Sequence, residues 1–484
     1  MSSIIETLSP ASEEEIKTIL KSLPNKTCSL DSFPTWLIIQ CANELTPVIT
    51  YIVNVCLESG EMPGSLKRAV VRPLLKKTGL DKEDFNNYRP VSNLAVMSKI
   101  IEKVVASRLK TYLNANNLSN KYQSAYKANH STETALLRVL NDIICLQPNK
   151  HPIMLVLLDL SAAFDTVDKH ILFERLYSYF GIRGTALRWF QSYMSDRTMS
   201  VAIENQFSKS IPVRFGVPQG SVLGPILFTM YTTPLCDIIL DCGFDFHIYA
   251  DDIQIYLPLN KQNTSLELLE DCLERIKLWM AANKLKLNES KTEVILFSTH
   301  TGPSQADVPA EINFSGEQII VPTNVVVRNL GVYLDTRLSM DHHIKKTCQA
   351  CHYQLRNIGK IRNIIDTQTA QLLVHCFITS RLDYCNSLLK GIPKYHLERL
   401  QKLHNKAARI VKKSPLREDS KELLKGLHWL PVEHRIDFKL ACLIFKCLNG
   451  LAPPYLDDLI EKYQPTKSLR SAGQNLKKNP RERA

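Results

Sequence analysis

No apolar run in this 484-residue sequence approaches the length of a membrane-spanning helix. The first residues, Met1-Ser2-Ser3-Ile4-Ile5-Glu6, contain no basic region followed by an apolar core, so no secretory leader is expected. A chain lacking both is expected to be soluble and intracellular, with no membrane partner. Its 13 cysteines are odd in number and scattered in spacing. That argues against a disulfide framework and predicts buried thiols in a reducing compartment. The one cluster, Cys348-Gln349-Ala350-Cys351-His352 with His342 and His343 upstream, lacks the second ligand pair that a zinc site needs. It reads as part of a helix with a structural role.

What is present is an ordinary globular composition, 44% apolar and 22% charged, long enough for a large core in two or three lobes. The net charge of +12 is unevenly placed. Residues 341–484 hold 27 Lys and Arg against 13 Asp and Glu, a net of +14, and the first 340 residues hold 33 against 35, a net of −2. A basic third on a near-neutral body suits a lobe that holds a polyanion such as nucleic acid, although a merely soluble basic surface has the same signature.

Along the chain, Ser12-Glu13-Glu14-Glu15 is a capping box that opens a helix to about residue 23, before Pro24. A second helix is expected over 34–57, ended by Gly60. A strand over 70–77 ends in Lys76 and Lys77, and Arg89 follows after a polar loop, so these three cations are expected at one edge of a hairpin. Helices are expected over 98–112 and 132–146, with His130 as a structural residue near the start of the latter. The run 153–158 is wholly apolar, predicting a central strand buried on both faces. Asp159 at its end is costly unless paired or bound to a metal. Further helices are expected over about 168–180, 184–195, 222–239 and 266–285, with a hairpin over 201–213 and a strand-like stretch over 308–327. Beyond Met340 the pattern is helical, over about 343–361, 367–389, 394–411 and 432–448.

Tyr249-Ala250-Asp251-Asp252 lies between two short apolar runs and reads as the turn of a β-hairpin with two acids at its tip. Adjacent carboxylates repel unless a cation neutralises them, and an oxygen-only ligand set suits Mg²⁺. Alone, such a pair is commonly a solvated loop tip. Gly216-Val217-Pro218-Gln219-Gly220-Ser221 is a rigid turn whose backbone can come close to a ligand, or a simple loop before a core helix.

Taken together, Asp159-Leu160-Ser161-Ala162-Ala163-Phe164-Asp165, the 216–221 loop and Tyr249-Ala250-Asp251-Asp252 occur in an order that resembles reverse transcriptases of non-LTR, LINE-type retrotransposons of the jockey-like kind. Further blocks resemble the same family. These are Asn87-Tyr88-Arg89-Pro90-Val91-Ser92-Asn93-Leu94, Leu287-Asn288 with Lys291-Thr292-Glu293, Asn329-Leu330-Gly331-Val332, Leu382-Asp383-Tyr384-Cys385-Asn386 and Leu427-His428-Trp429-Leu430-Pro431. The resemblance implies an α+β right-hand polymerase, with a palm whose antiparallel sheet carries the aspartates. Fingers and an N-terminal extension would occupy 1–145, the palm 146–325, a helical thumb 326–465 and a disordered basic tail 466–484. It implies an RNA-directed DNA polymerase that joins deoxynucleoside triphosphates to a DNA primer 3′-hydroxyl on an RNA template. Asp159, Asp251 and Asp252 would be catalytic and would hold two Mg²⁺ ions, or Mn²⁺, ~4 Å apart. By the same resemblance, Lys76 or Lys77 with Arg89 would hold the triphosphate and Phe164 would lie under the sugar, excluding a 2′-hydroxyl. Gln219 and Gly220 would line the nucleotide and template pocket, and Lys291 would donate a proton to pyrophosphate. The place of work would be a cytoplasmic ribonucleoprotein, the nucleus, or both.

Full-length elements carry an endonuclease domain ahead of the polymerase, and no such segment or RNase H segment is apparent here. The family pattern fades after about residue 474, and Lys127 stands where many relatives place Arg. The expectation is a polymerase region cut from, or decayed out of, a longer reading frame, which copies RNA without nicking its own target. The alternatives are an inactive or repurposed RNA-binding remnant, disfavoured by the three intact aspartates, and an intron-maturase or telomerase-like enzyme, disfavoured by the C-terminal blocks.

Overall fold

The computed structural model describes residues 3–460 except 27, 78, 147–150, 162, 205, 260–263, 289–290, 298–310, 315–316 and 321–324. The expected basic tail and parts of the 308–327 stretch therefore lie outside the described residues. The chain forms two compact units, each from separate stretches: Met1–Tyr126, Asp159–Cys242 and Cys272–Glu289 in the first, and Lys127–Leu158, Gly243–Asp271 and Ser290–Ala484 in the second. Helices and strands are numbered in chain order.

The first unit opens with α1 (Glu13–Lys21), where the Ser12 hydroxyl accepts the Glu15 N–H at 3.2 Å, as the capping box predicts. The helix expected over 34–57 is instead two, α2 (Thr35–Gln40) and α3 (Ala42–Ser59), divided at Cys41. Pro47 inside α3 has no N–H and crowds the carbonyl four residues back, an irregularity that apolar spacing does not register. Gly60 ends α3 at φ +70°. Strands β1 (Arg68–Leu75) and β2 (Tyr88–Leu94) pair antiparallel, with Leu74 opposite Arg89. Then come α4 (Val96–Ala115) in this unit and α5 (Thr132–Leu146) and β3 (Ile153–Leu158) in the second. The first unit continues with β4 (Leu160–Ser161), α6 (Lys169–Ser178), α7 (Gly184–Met194) and β5 (Thr198–Ile203). The expected hairpin after residue 200 exists, since β6 (Gln206–Phe207) and β7 (Ile211–Pro212) both pair with β5. Its first strand, however, starts at Thr198 and joins β1 in parallel. The core of this unit includes Val104, Leu109, Trp189, Tyr193, Phe228 and Tyr231. The last two lie on α8 (Gly224–Asp241).

In the second unit, β8 (Asp245–Tyr249) and β9 (Asp252–Pro258) form the expected hairpin. α9 (Thr264–Ala282) leads back into the first unit, where β10 (Lys286–Leu287) pairs with β4. In the second unit, β11 (Glu293–Phe297), β3 and the β8–β9 hairpin form an antiparallel sheet in the order β11-β3-β9-β8. β3 is central in it, and Ile153, Met154, Leu155 and Val156 are all fully buried. Two hairpins come next, β12 (Glu311–Phe314) with β13 (Glu317–Ile320), and β14 (Val326–Asn329) with β15 (Val332–Asp335).

The helical region then runs through α10 (Asp341–Ile361), α11 (Thr367–Val374), α12 (Ser380–Leu382), α13 (Lys394–Lys412), α14 (Ser420–Gly426), α15 (Val432–Leu448) and α16 (Pro454–Asp457). One continuous core joins β3 and α5 to these helices, through Leu136, Leu155, Ile344, Leu403 and Trp429 among others. The single helix expected over 367–389 does not form. His375–Thr379 widens into a π-turn, and Cys385 swings to φ +51°. Tertiary partners win there. Glu133 of α5 accepts the Ser387 N–H at 3.1 Å, Tyr384 donates to the Leu330 carbonyl at 2.5 Å, and Arg435 grips Asp383 with two nitrogens. The Cys348–His352 segment is helical, as expected. Cys351 is buried, and burial pushes its thiol up to about 12. No helix among the described residues is long and apolar enough to cross a membrane.

Candidate active site

The β8–β9 hairpin closes with Tyr249 opposite Asp252, leaving Ala250 and Asp251 as a two-residue tip. Ala250 sits at φ +60°, a left-handed conformation that costs a side-chain-bearing residue about 1–2 kcal/mol. Such strain is retained where surroundings hold it. Here, His247 of β8 is fully buried and packs edge-on against Tyr455 at 4.9 Å. Gln254 of β9 accepts a 2.7 Å hydrogen bond from buried Asn329. Asn329 begins one of the sequence blocks noted above, and this bond is a physical reason for it. Gly331 in the same block packs so closely on Tyr384 that a Cβ would lie 3.0 Å from its hydroxyl.

In the β3–β9 register the last pair is Leu158 with Ile253. The next residue along β3 is Asp159, and the one before Ile253 on β9 is Asp252. At Asp159 the chain changes partner, from the four-stranded sheet to the short β4–β10 ladder. Asn288, just past β10, holds it twice. Its N–H donates to the Asp159 carbonyl at 2.9 Å, and its side-chain amide to the carboxylate at 3.3 Å. Sequence reasoning saw the Leu287-Asn288 block and missed this role.

Within the first unit, the loop after Asp159 and the 216–221 loop are laced together. Val217 N–H donates to the Phe164 carbonyl and Gly216 N–H to that of Val167, each at 2.8 Å, and the Gln219 amide reaches Asp165 at 3.1 Å. Gly216 at φ +82° faces that loop so tightly that a Cβ would stand 2.9 Å from the Phe164 carbonyl oxygen. On its other side, Ser92 of β2 donates to the Gln219 carbonyl at 2.7 Å, and a Cβ at Gly220 would lie 2.7 Å from the Ser92 oxygen. The expected nucleotide-pocket residues Phe164, Gln219 and Gly220 thus belong to one hydrogen-bonded assembly that includes β2. Behind it, buried Glu102 of α4 accepts the Val222 and Leu223 N–H groups at the start of α8, at 2.7 and 3.2 Å. Desolvation is the largest influence on this carboxyl and pushes its pKa up.

On the β1–β2 hairpin, Arg89 lies opposite Leu74, so it shares a face with Lys76 two residues on. Lys76 donates to the Asn86 carbonyl at 2.8 Å. Lys77 is exposed just after the strand. Arg72, two residues before Leu74, is exposed on the same face as Arg89 and was not singled out from sequence; the period-2 spacing from Lys76 was the available signal. Lys291 is exposed two residues ahead of β11.

Asp251 is half-buried and Asp252 exposed, hard oxygen donors on an open tip. Among the described residues no three His, Cys, Asp or Glu side chains form a ready-made metal cage. Mg²⁺ does not require one, because it keeps waters and substrate phosphates in its shell and takes only one or two carboxylates. The donor set therefore fits such an ion.

Residues 75–334, more than half of the chain, match the family model described as reverse transcriptase (RNA-dependent DNA polymerase). Curated relatives from Drosophila melanogaster include a probable RNA-directed DNA polymerase from transposon BS, 27% identical over 89% of this chain and 48% of the relative. The RNA-directed DNA polymerase from mobile element jockey is 24% identical over 84% and 44%. A probable RNA-directed DNA polymerase from transposon X-element is 26% identical over 85% and 43%. This chain spans about half the length of these relatives. An apo telomerase from Candida tropicalis, truncated from its C-terminal domain, aligns at a TM-score of 0.37 and 15% identity over 60% of this chain and 59% of that one. The chain belongs to the reverse transcriptase family.

Proposed function

We propose that this chain is the polymerase segment of a LINE-type, jockey-like retrotransposon protein, extending a DNA primer 3′-hydroxyl on an RNA template. The observation that carries the reading is the β3–β9 register, which ends at Leu158 and Ile253 with an aspartate next along each strand. In this reading the four-stranded sheet is the palm, the β1–β2 hairpin belongs to the fingers and the helices after Met340 form the thumb. Asp159, Asp251 and Asp252 hold two Mg²⁺ ions. Bound there, the ions supply a lowered pKa at the primer hydroxyl and neutralisation of the triphosphate. The protein's own share is positioning and charge neutralisation. Asn288 fixes the Asp159 carboxylate. Lys76, Lys77 and Arg89, with Arg72 beside them, receive the triphosphate through charge-assisted hydrogen bonds. Phe164 supports the deoxyribose, Gln219 and Gly220 line the pocket, and Lys291 gives a proton to the departing pyrophosphate.

The test is primer extension on an RNA template with Mg²⁺. Asp251→Asn removes a ligand charge from a half-buried side chain at the tip of the turn and leaves the strands their pairing. It is expected to abolish extension with an unchanged circular-dichroism spectrum and melting point. Synthesis at the wild-type rate by Asp251→Asn would end the assignment.

A further inference from the structure

Phe164 has a partner that its loop does not supply. Its ring stacks on that of Phe228, centroids 4.6 Å apart and planes at 25°. Phe228 lies on α8, just past Gly224 and Pro225, and is fully buried, whereas Phe164 is half-buried. The backbone at Phe164 is held separately, by the Val217 N–H. The helix that presents Phe228 is itself fixed at its start, by the Glu102 carboxylate described above and by the Ser221 hydroxyl, which accepts the Gly224 N–H at 2.9 Å. So the Phe164 backbone is clamped by one loop and its ring is backed by an anchored helix.

We propose that Phe228 determines sugar selectivity by backing Phe164, as a positioning residue that denies the gate ring room to retreat. The inference rests on the reading of Phe164 as the surface under the incoming sugar. A gate that works by bulk excludes an added hydroxyl only as well as it is held. A ring on a loop, with space behind it, would shift by the width of one oxygen and admit a ribonucleotide. With a flat aromatic face at stacking distance in a filled core, that shift requires displacing α8. Offset stacking also favours one tilt of the Phe164 ring over others.

The experiment uses the full chain, an RNA template and a DNA primer. It measures kcat/KM for a deoxynucleotide and for the matching ribonucleotide on each variant. Their ratio is the readout, because a general loss of folded enzyme lowers both and leaves the ratio alone. Phe164→Val is expected to collapse the ratio. Apolar contacts reject an added hydroxyl by about 100-fold, so Phe228→Ala is expected to forfeit about tenfold of the ratio. Phe228→Leu keeps most of the volume while losing the flat face, so it carries the test if the alanine variant folds poorly, with an expected loss of about threefold. Combining Phe228→Leu with Phe164→Val is expected to add nothing to Phe164→Val alone, because the ring being positioned is gone. If Phe164→Val shifts the ratio while both Phe228 variants leave it within about twofold of wild type, Phe228 is only core packing and the proposal is overturned. If Phe164→Val itself leaves the ratio unchanged, the gate reading falls first and this inference with it.

Discussion

Asp159 is held by groups 129 residues away in sequence, and that separation explains what a residue-level reading could find. The aspartates stand out as candidate ligands because an acid ending a wholly apolar strand, or doubled at a turn, is costly without a cation. Asn288 is not legible as a hydrogen-bond donor, because its role depends on the β4–β10 register that brings it back to Asp159. Arg72 escaped for a related reason: only the β1–β2 pairing shows that it shares a face with Arg89. Partners that orient a metal-binding carboxylate are typically worth 10–100-fold in metal affinity or activity. Asn288→Ala is therefore expected to lower extension about tenfold at limiting Mg²⁺ and to raise the Mg²⁺ concentration for half-maximal rate. Its thermal midpoint is expected to stay near wild type, since the side chain is half-buried and lies past the end of β10. A titration showing wild-type Mg²⁺ dependence would remove Asn288 from the site.

Elements with strong, uninterrupted periodicity were readable in place: α1, β3, α5, the β8–β9 hairpin and α13. The failures are at breaks, at Cys41 and across 375–389; in the second, Glu133 captures the Ser387 N–H, and Arg435 and the Leu330 carbonyl hold the side chains of Asp383 and Tyr384. Burial of histidine is also decided between elements. His404 of α13 stacks on Trp429 at 5.3 Å, His343 of α10 lies beneath the β14–β15 hairpin's Tyr333, and His247 of β8 packs on Tyr455. Desolvation holds His404 and His343 at about 4 and His247 at about 3. Arg435 and His375 add to the depression at His404 and Asp383 opposes it. In each case the folded state refuses a proton that the unfolded chain accepts near 6.5. Stability is then intact above that pH and falls as pH drops toward 4, by about 1.4 kcal/mol per pH unit for each such histidine. His404→Phe keeps a ring against Trp429 and removes the titration. Urea unfolding between pH 7 and 4 should show an acid-side slope shallower by about one proton than wild type. An identical slope would mean that His404 is protonated in the folded state.

At the scale of the whole chain, the charge asymmetry was visible in composition, but its arrangement was not. Each compact unit gathers three separate stretches, which a linear tally cannot register. On α10 the apolar face of Ile344, Cys351, Leu355 and Ile358 is buried, and Lys345, Lys346, His352, Arg356 and Lys360 are exposed along the other, with Tyr353 among them. Asp341, the helix's one acid, is already paired with Arg399 at 2.9 Å. A solvated stripe without acids is the form a phosphate-tracking surface takes, and a uniformly basic protein would bind nucleic acid without it. Salt dependence separates the two. Each phosphate contact contributes about 0.9 to the slope of log affinity against log salt on duplex DNA. Replacing Lys345, Arg356 and Lys360 together by alanine is expected to flatten that slope for a primer–template duplex by about 2 to 3. Replacing Lys21, Lys110 and Lys209, exposed lysines of the first unit, removes the same charge from elsewhere and is expected to leave the slope near wild type. If the two triple variants flatten the slope equally, net charge rather than the α10 stripe governs binding.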